Sequence, residues 1–244
     1  MGEFTLVPIA FFTSVVAGVL GMGGGVLLIA MMPGLLPAAA IIPVHAITQL
    51  ASNVSRAAFG WRNLDWTLLP AVAAGSVLGA SLGAQVYSSL DLAWLPAIIG
   101  VVILFITWFR LPQPKGASQL TLVLLGFYQT GLGMLAGATG PLGAAVLAKH
   151  NSDRDWLVVN TAAYMTLNHG LRMLAFGLLG FAFMPWLGLI TAMVVAVIIG
   201  SWVGTQLRSK IPQRNFLFWF KALVSLLAIR MIGLSFFGSG VWVN

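Results

Sequence analysis

The sequence predicts an all-α polytopic membrane protein built from two related halves. Three observations predict it. Of the 244 residues, 59% are hydrophobic and 7% charged, against about 25% charged in a soluble domain. So few charges cannot cover a surface that faces water, and most of the exterior must face lipid. The apolar residues run in stretches that reach the roughly 20 residues a helix needs to cross a bilayer, without the alternating ten-residue pattern of a barrel. The chain also repeats itself: Gly21, Gly24 and Arg56 recur as Gly137, Gly140 and Arg172, each 116 positions later.

Eight apolar segments follow in order, at about 5–33, 42–60, 66–88, 92–110, 119–147, 156–179, 184–207 and 215–237. Trp61, Trp66, Trp94, Trp108, Trp156, Trp186 and Trp219 stand near their ends, where interfacial aromatic rings sit. The first and fifth segments are too long for a simple crossing and are broken by Gly21-Met22-Gly23-Gly24-Gly25 and by Gly137-Ala138-Thr139-Gly140-Pro141. Glycine weakens a helix interior by about 1 kcal/mol and proline removes a donor, so each segment reads as two half-helices. Gly75 and Gly79 pair with Gly200 and Gly204 at an offset of 125. Their four-residue spacing, shared by Gly83, is that of close helix packing. The stretch Leu111-Pro112-Gln113-Pro114-Lys115-Gly116 divides the chain into repeats 1–112 and 113–244.

The loop charges select a topology. If all eight segments cross, the halves are parallel, and the basic loops split between the two sides, against the positive-inside rule. If segments one and five turn back at their glycine breaks, each half makes three crossings and the halves are inverted. Arg62, Arg110, Lys115, Lys149, Arg154, Arg208, Lys210 and Arg214 then share one side, and Glu3, His45 and Asp91 the other. The expected fold is therefore two inverted repeats. Each is a Gly-broken re-entrant or discontinuous helical hairpin plus three transmembrane helices, with both termini periplasmic. The start, Met1-Gly2-Glu3-Phe4, lacks the basic region of a signal peptide, so the first segment is expected to be retained. The net charge of +7 forms no basic stripe and points to topology rather than nucleic acid. The absence of cysteine excludes thiolate chemistry and disulfides, and no cofactor is expected.

Four basic residues lie inside apolar segments: Arg56, Arg172, Lys221 and Arg230. Lys221 is near enough to an end to snorkel. Arg56 and Arg172 are equivalent by the repeat, and each ends a polar stripe at helical spacing: Gln49, Ser52, Asn53, Arg56, and Tyr164, Asn168, His169, Arg172. One reading makes these stripes the walls of a cavity; the other makes them interhelical hydrogen-bonding glue. Half-helices starting after Gly23, Gly24 and Gly25, and at Thr139-Gly140, would turn unpaired N–H groups and positive dipole ends toward the same place, as at oxyanion sites. No carboxylate lies inside an apolar segment, which argues against a transported cation, a metal site or a carboxylate proton relay. His169 is the titratable group of the expected cavity. No nucleophile, base or metal cluster suggests an enzyme.

The motif Gly21-x-Gly23-Gly24-Gly25 leading to Pro33, then a helix with Thr48-Gln49-x-x-Ser52-Asn53, resembles the TauE/SafE sulfite exporter family, also called the 4-toluene sulfonate uptake permease family. The two-half organisation matches it over the whole chain, although Thr139-Gly140-Pro141 departs from the glycine run of the first half. The resemblance implies a bacterial inner-membrane permease exporting sulfite or an organosulfonate such as sulfoacetate by alternating access. An anion channel and an importer of thiosulfate or sulfonate are the competing readings. The expected site residues are Gly23, Gly24, Gly25, Gln49, Ser52, Asn53, Arg56, Thr139, Gly140, Asn168, His169 and Arg172. The expected partners are a small anion and the lipid bilayer, with a homodimer left open.

Overall fold

The computed structural model describes residues 2–109, 118–137, 139–210 and 214–237. The expected break at Leu111 to Gly116, with Arg110 and Lys115, lies outside the described residues, as does Ala138. Ten α-helices are described: α1 (Leu6–Leu20), α2 (Gly24–Met31), α3 (Ala38–Phe59), α4 (Leu69–Ser88), α5 (Leu95–Trp108), α6 (Gln119–Ala136), α7 (Gly140–Leu147), α8 (Arg154–Leu178), α9 (Leu187–Leu207) and α10 (Arg214–Phe237). The first and fifth apolar segments are each broken in two, as their glycines predict. Gly21 and Gly23 take φ of 79° and 91°, and Gly137 takes 69°, a region in which a side chain is strained. At the first break the chain doubles back, so that Gly24 lies against the Thr13 carbonyl and the Ala17 methyl of α1.

Three of the acids expected in loops act as helix caps, whereas Asp155 lies in the first turn of α8. Asp153 accepts from the Trp156 N–H at 2.7 Å ahead of α8. Asp65 and Asp91 accept at 3.0 Å from Thr67 and Ala93, at the 3₁₀ turns that lead into α4 and α5. Each such cap satisfies an orphan N–H and suits the positive helix end.

Close packing joins helices from opposite halves. The glycines of α4 lie on the backbone of α6: a Cβ at Gly79 would meet the Phe127 carbonyl, and one at Gly83 the Gly131 carbonyl. On α9, Gly200 meets the Phe11 carbonyl and Gly204 the Val15 carbonyl of α1. Phe11 and Val15 stand 116 positions before Phe127 and Gly131, so packing pairs Gly79 with Gly200 and Gly83 with Gly204. The offset is 121, one helical turn short of the 125 expected from glycine spacing alone. Both pairs run parallel, since partner numbers rise together. By contrast α3 and α8 run antiparallel. Asn160 near the start of α8 donates to the Asn63 carbonyl just beyond α3 at 2.8 Å, while Leu50 meets Gly170 further along.

Among the described residues, four stretches are long and apolar enough to cross a membrane: Gly2–Leu20, Trp66–Ser88, Gln119–Ala136 and Met184–Leu207; Leu92–Trp108 is a shorter apolar helix. The helices α3 and α8 are more polar because they are central, each contributing a long run of buried residues. The outer faces are apolar, with Phe12, Leu178, Trp202 and Leu226 exposed. Trp61, Trp66, Trp94 and Trp108 are exposed at helix ends, as an interfacial belt requires. Lys221 places its ammonium 5.6 Å from the Trp108 ring, and Arg230 donates to the Pro33 carbonyl at 3.3 Å.

Candidate functional site

The two breaks and the two central helices meet around a cavity of about 30 Å³, room for about two water-sized groups. One wall is the α1–α2 break, from Gly21 to Val26, and the wall facing it includes Gly137, Gly140 and Pro141 of the α6–α7 break. Between them α3 presents His45, Gln49, Asn53 and Arg56, and α8 presents Thr161, Met165 and His169. The first turn of α2 has no side-chain cap, its N-cap being Gly23, so its leading N–H groups and the positive end of its dipole are turned to the cavity edge. A Cβ at Gly25 would lie 3.1 Å from the Gln49 side-chain oxygen and 3.5 Å from His45 Nε2. Any larger residue there would narrow the space.

Arg56 is held from three sides. It donates to the Ala17 carbonyl at 3.1 Å, to the Ser52 carbonyl at 3.3 Å and to Asn53 Oδ1. A guanidinium has five N–H groups, so two remain beyond these three bonds. Asn53 in turn donates to the Gln49 carbonyl at 2.7 Å.

Arg172 repeats two of these bonds 116 positions on. It donates to the Asn168 carbonyl at 3.2 Å and to the Gly133 carbonyl at 3.3 Å, where Arg56 uses Ser52 and Ala17. It also donates to the Gly137 carbonyl and reaches His169 Nε2 at 3.5 Å. It is fully buried and stands behind His169, off the cavity wall. Hence Arg56 borders the cavity directly, whereas Arg172 holds the α6–α7 break and the His169 ring.

The two polar stripes are divided between the readings sequence left open. Gln49, Asn53, Arg56 and His169 border the cavity, as do Gly23, Gly24, Gly25 and Gly140. Ser52 instead bonds Ser14 at 2.9 Å and lies 3.4 Å from Ser201, a knot that ties α3 to α1 and α9. Asn168 donates to Gln129 at 3.3 Å and accepts from Ser76 at 2.8 Å, tying α8 to α6 and α4. The Thr139 hydroxyl turns away from the α7 N-terminus and donates to the Gln129 carbonyl at 3.1 Å. On α8 the row facing the cavity is Thr161, Met165 and His169, whereas Tyr164 reaches the Gly140 carbonyl at 3.2 Å.

His45 is the residue that sequence reading misplaced. It was expected among the groups of the periplasmic side. It is instead buried within α3, donates from Nε2 to the Gly25 carbonyl at 2.9 Å, and packs edge-to-face on His169 with ring centroids 5.7 Å apart. The signal was present: His45 precedes Gln49 by one helical turn, on the face of Asn53 and Arg56.

Beyond the cavity, arginines collect at the α1 C-terminus. Arg208 donates to the Gly18 carbonyl at 2.9 Å and to Asp155 at 2.7 Å, and Arg154 donates to the Val19 carbonyl at 2.7 Å. With Arg56 on Ala17, three consecutive carbonyls receive guanidinium donors, which suits the negative end of a helix.

A family model described as sulfite exporter TauE/SafE matches residues 6–231. The chain belongs to the sulfite exporter TauE/SafE family. Comparison with curated proteins and with solved structures returns no match. The TauE/SafE match spans both glycine breaks and both central helices, so it covers every residue of the cavity. With the apolar helices, membership makes this a multi-pass membrane protein.

Proposed function

We propose that this TauE/SafE protein is a permease, not an enzyme, that exports a small sulfur-containing anion, sulfite or an organosulfonate, across the bacterial inner membrane. The observation that carries the reading is the chemistry of the cavity wall. Arg56 and the uncapped start of α2 are anion-binding groups, and no carboxylate among the described residues borders the cavity. The sulfur comes from the family, whose description is that of sulfite exporters.

The proposed mechanism is alternating access between two inverted repeats, 1–112 and 113–244, with both termini periplasmic. The antiparallel run of α3 against α8 and the parallel pairs α1–α9 and α4–α6 support it. The shared bonds of Arg56 and Arg172 support it as well. The site would draw on Gly23, Gly24, Gly25, Gln49, Asn53, Arg56, Gly140 and His169, with Ser52, Thr139, Asn168 and Arg172 supporting them from behind. A sulfonate larger than the present cavity needs the halves to part, which rocking provides. An interior-negative potential drives anion export by about 2.3 kcal/mol per charge per 100 mV.

The test is counterflow in proteoliposomes. Vesicles preloaded with unlabelled sulfite should accumulate labelled sulfite transiently, and Arg56→Ala should abolish the overshoot. An ohmic current without counterflow would instead establish an anion channel. Absence of transport for sulfite, thiosulfate and sulfonates alike would refute the permease. A C-terminal reporter active in the cytoplasm would refute the topology.

A further inference from the structure

We infer that the cavity takes up one proton with each anion it binds, through His45; the inference rests on the permease reading above. A carbonyl only accepts, so the bond from His45 Nε2 to the Gly25 carbonyl fixes the ring proton on Nε2. In the neutral ring Nδ1 is then a bare lone pair. A guanidinium only donates, so the contact of Arg172 with His169 Nε2 makes that nitrogen the acceptor and leaves the His169 proton on Nδ1. Both Nδ1 atoms are buried and have no hydrogen-bond partner among the described residues, although both rings border the cavity. His45 Nδ1 lies 3.4 Å from where a Cβ on Gly137 would stand, and Gly137 is on the cavity wall.

A ligand in the cavity thus meets donors from His169, Arg56 and α2, the Gln49 amide and Thr161 hydroxyl, which can donate as well as accept, and one side-chain nitrogen that can only accept, His45 Nδ1. A fully deprotonated oxyanion offers only lone pairs and leaves that acceptor facing an oxygen. One proton removes the conflict in either of two positions. It sits on the anion as an S–OH that donates to His45 Nδ1, or on Nδ1, which then donates to the anion. The count is the same. The charged and titratable groups on α3 and on the face of α8 packed against it are Arg56, about three turns along α3 from His45, and Arg172, His169 and Tyr164 on α8. Tyr128 lies on α6, Arg208, paired with Asp155, at the end of α9, and Asp91 in the turn before α5. Neither α1 nor α2 brings an acid or base. The negative charge that accompanies a proton on His45 must come from the anion.

The experiment is calorimetric titration of the purified full-length protein with thiosulfate, which carries no proton near neutral pH, and with sulfite. Each is run in phosphate and in Tris at one pH. The expected result for thiosulfate is a heat that differs between the buffers by one proton per anion. Above the neutral range its affinity should fall about tenfold per pH unit. His45→Gln should flatten that profile, and His150→Gln, remote and outside the cavity, should leave it unchanged. Equal heats in both buffers with measurable binding would overturn the inference, as would undiminished proton uptake in His45→Gln. Failure of thiosulfate, sulfite and sulfonates all to bind would refute the permease reading itself, which is a different result from binding without a proton.

Discussion

Replacing each of the two equivalent arginines by alanine should produce opposite defects. In Arg56→Ala, three bonds are lost, but two of the acceptors keep another donor. The Ala17 carbonyl retains the Gly21 N–H at 2.8 Å, and the Ser52 carbonyl retains the Ser55 hydroxyl at 3.0 Å. Asn53 Oδ1 is the group left in need. In Arg172→Ala the Gly133 carbonyl retains the Gly137 N–H at 2.9 Å, but the Gly137 carbonyl and His169 Nε2 both lose their partner. A buried polar group left unsatisfied costs about 1–3 kcal/mol. Arg172→Ala should therefore destabilise by about 2–6 kcal/mol, and Arg56→Ala by about half as much. Binding should show the reverse order. Arg56 borders the cavity, and a charge-assisted contact worth about 1.5–3 kcal/mol corresponds to a loss of affinity of about 10- to 150-fold. Thermal unfolding of each variant, with and without saturating sulfite, measures both quantities. The reasoning fails if Arg56→Ala keeps the full ligand-induced shift, or if it unfolds at a lower temperature than Arg172→Ala.

Gly200→Ala, which drives a methyl into the Phe11 carbonyl, should cost about 1–3 kcal/mol on the same unfolding assay. Gly188→Ala, with nothing within 4 Å, should cost nothing measurable. Gly23→Ala combines the strain of φ 91° with contact against the Phe220 ring; it should lower stability by about 1–2 kcal/mol and reduce counterflow. Asp155→Asn should cost at most about 1 kcal/mol, because its carboxylate is 63% exposed. Arg208→Ala should cost more, because it also removes the donor to the Gly18 carbonyl; a urea series comparing the two variants checks the order.

The helical membrane fold was legible because lipid leaves the backbone no alternative and because glycine breaks a helix wherever it clusters. The recurrence of Gly21 and Arg56 116 positions on carries information for a related reason, since these are costly residues in apolar segments. What one-dimensional spacing could not supply was rotation about each helix axis. Tyr164, Asn168 and Arg172 share a face, and so do Thr161, Met165 and His169, with the two faces about 100° apart. Only the packing of α8 against α6 decides which one is lined by protein and which by the cavity. His45 was missed for a related reason. With α3 begun at residue 42 it stood at a membrane edge, whereas the helix starts at Ala38 and carries it inward by about a turn. The one-turn error in pairing Gly75 and Gly79 with Gly200 and Gly204 has the same origin, since any four-residue glycine ladder matches itself when shifted by four.

The glycine ladders also bear on how the chain is made. Gly18 of α1 rests on Gly204 of α9, and Gly126 of α6 on the Val72 carbonyl of α4. A ribosome that has finished α5 has made five helices, of which α1 and α4 have no neighbour yet for their close-packing faces. Those faces stay open in the bilayer until the second half is inserted. During that interval the surface that fits them best belongs either to the unfinished remainder of the same chain or to another copy of it. Exchange of halves between copies is therefore the misassembly that competes most directly with correct folding, and it should grow with expression level.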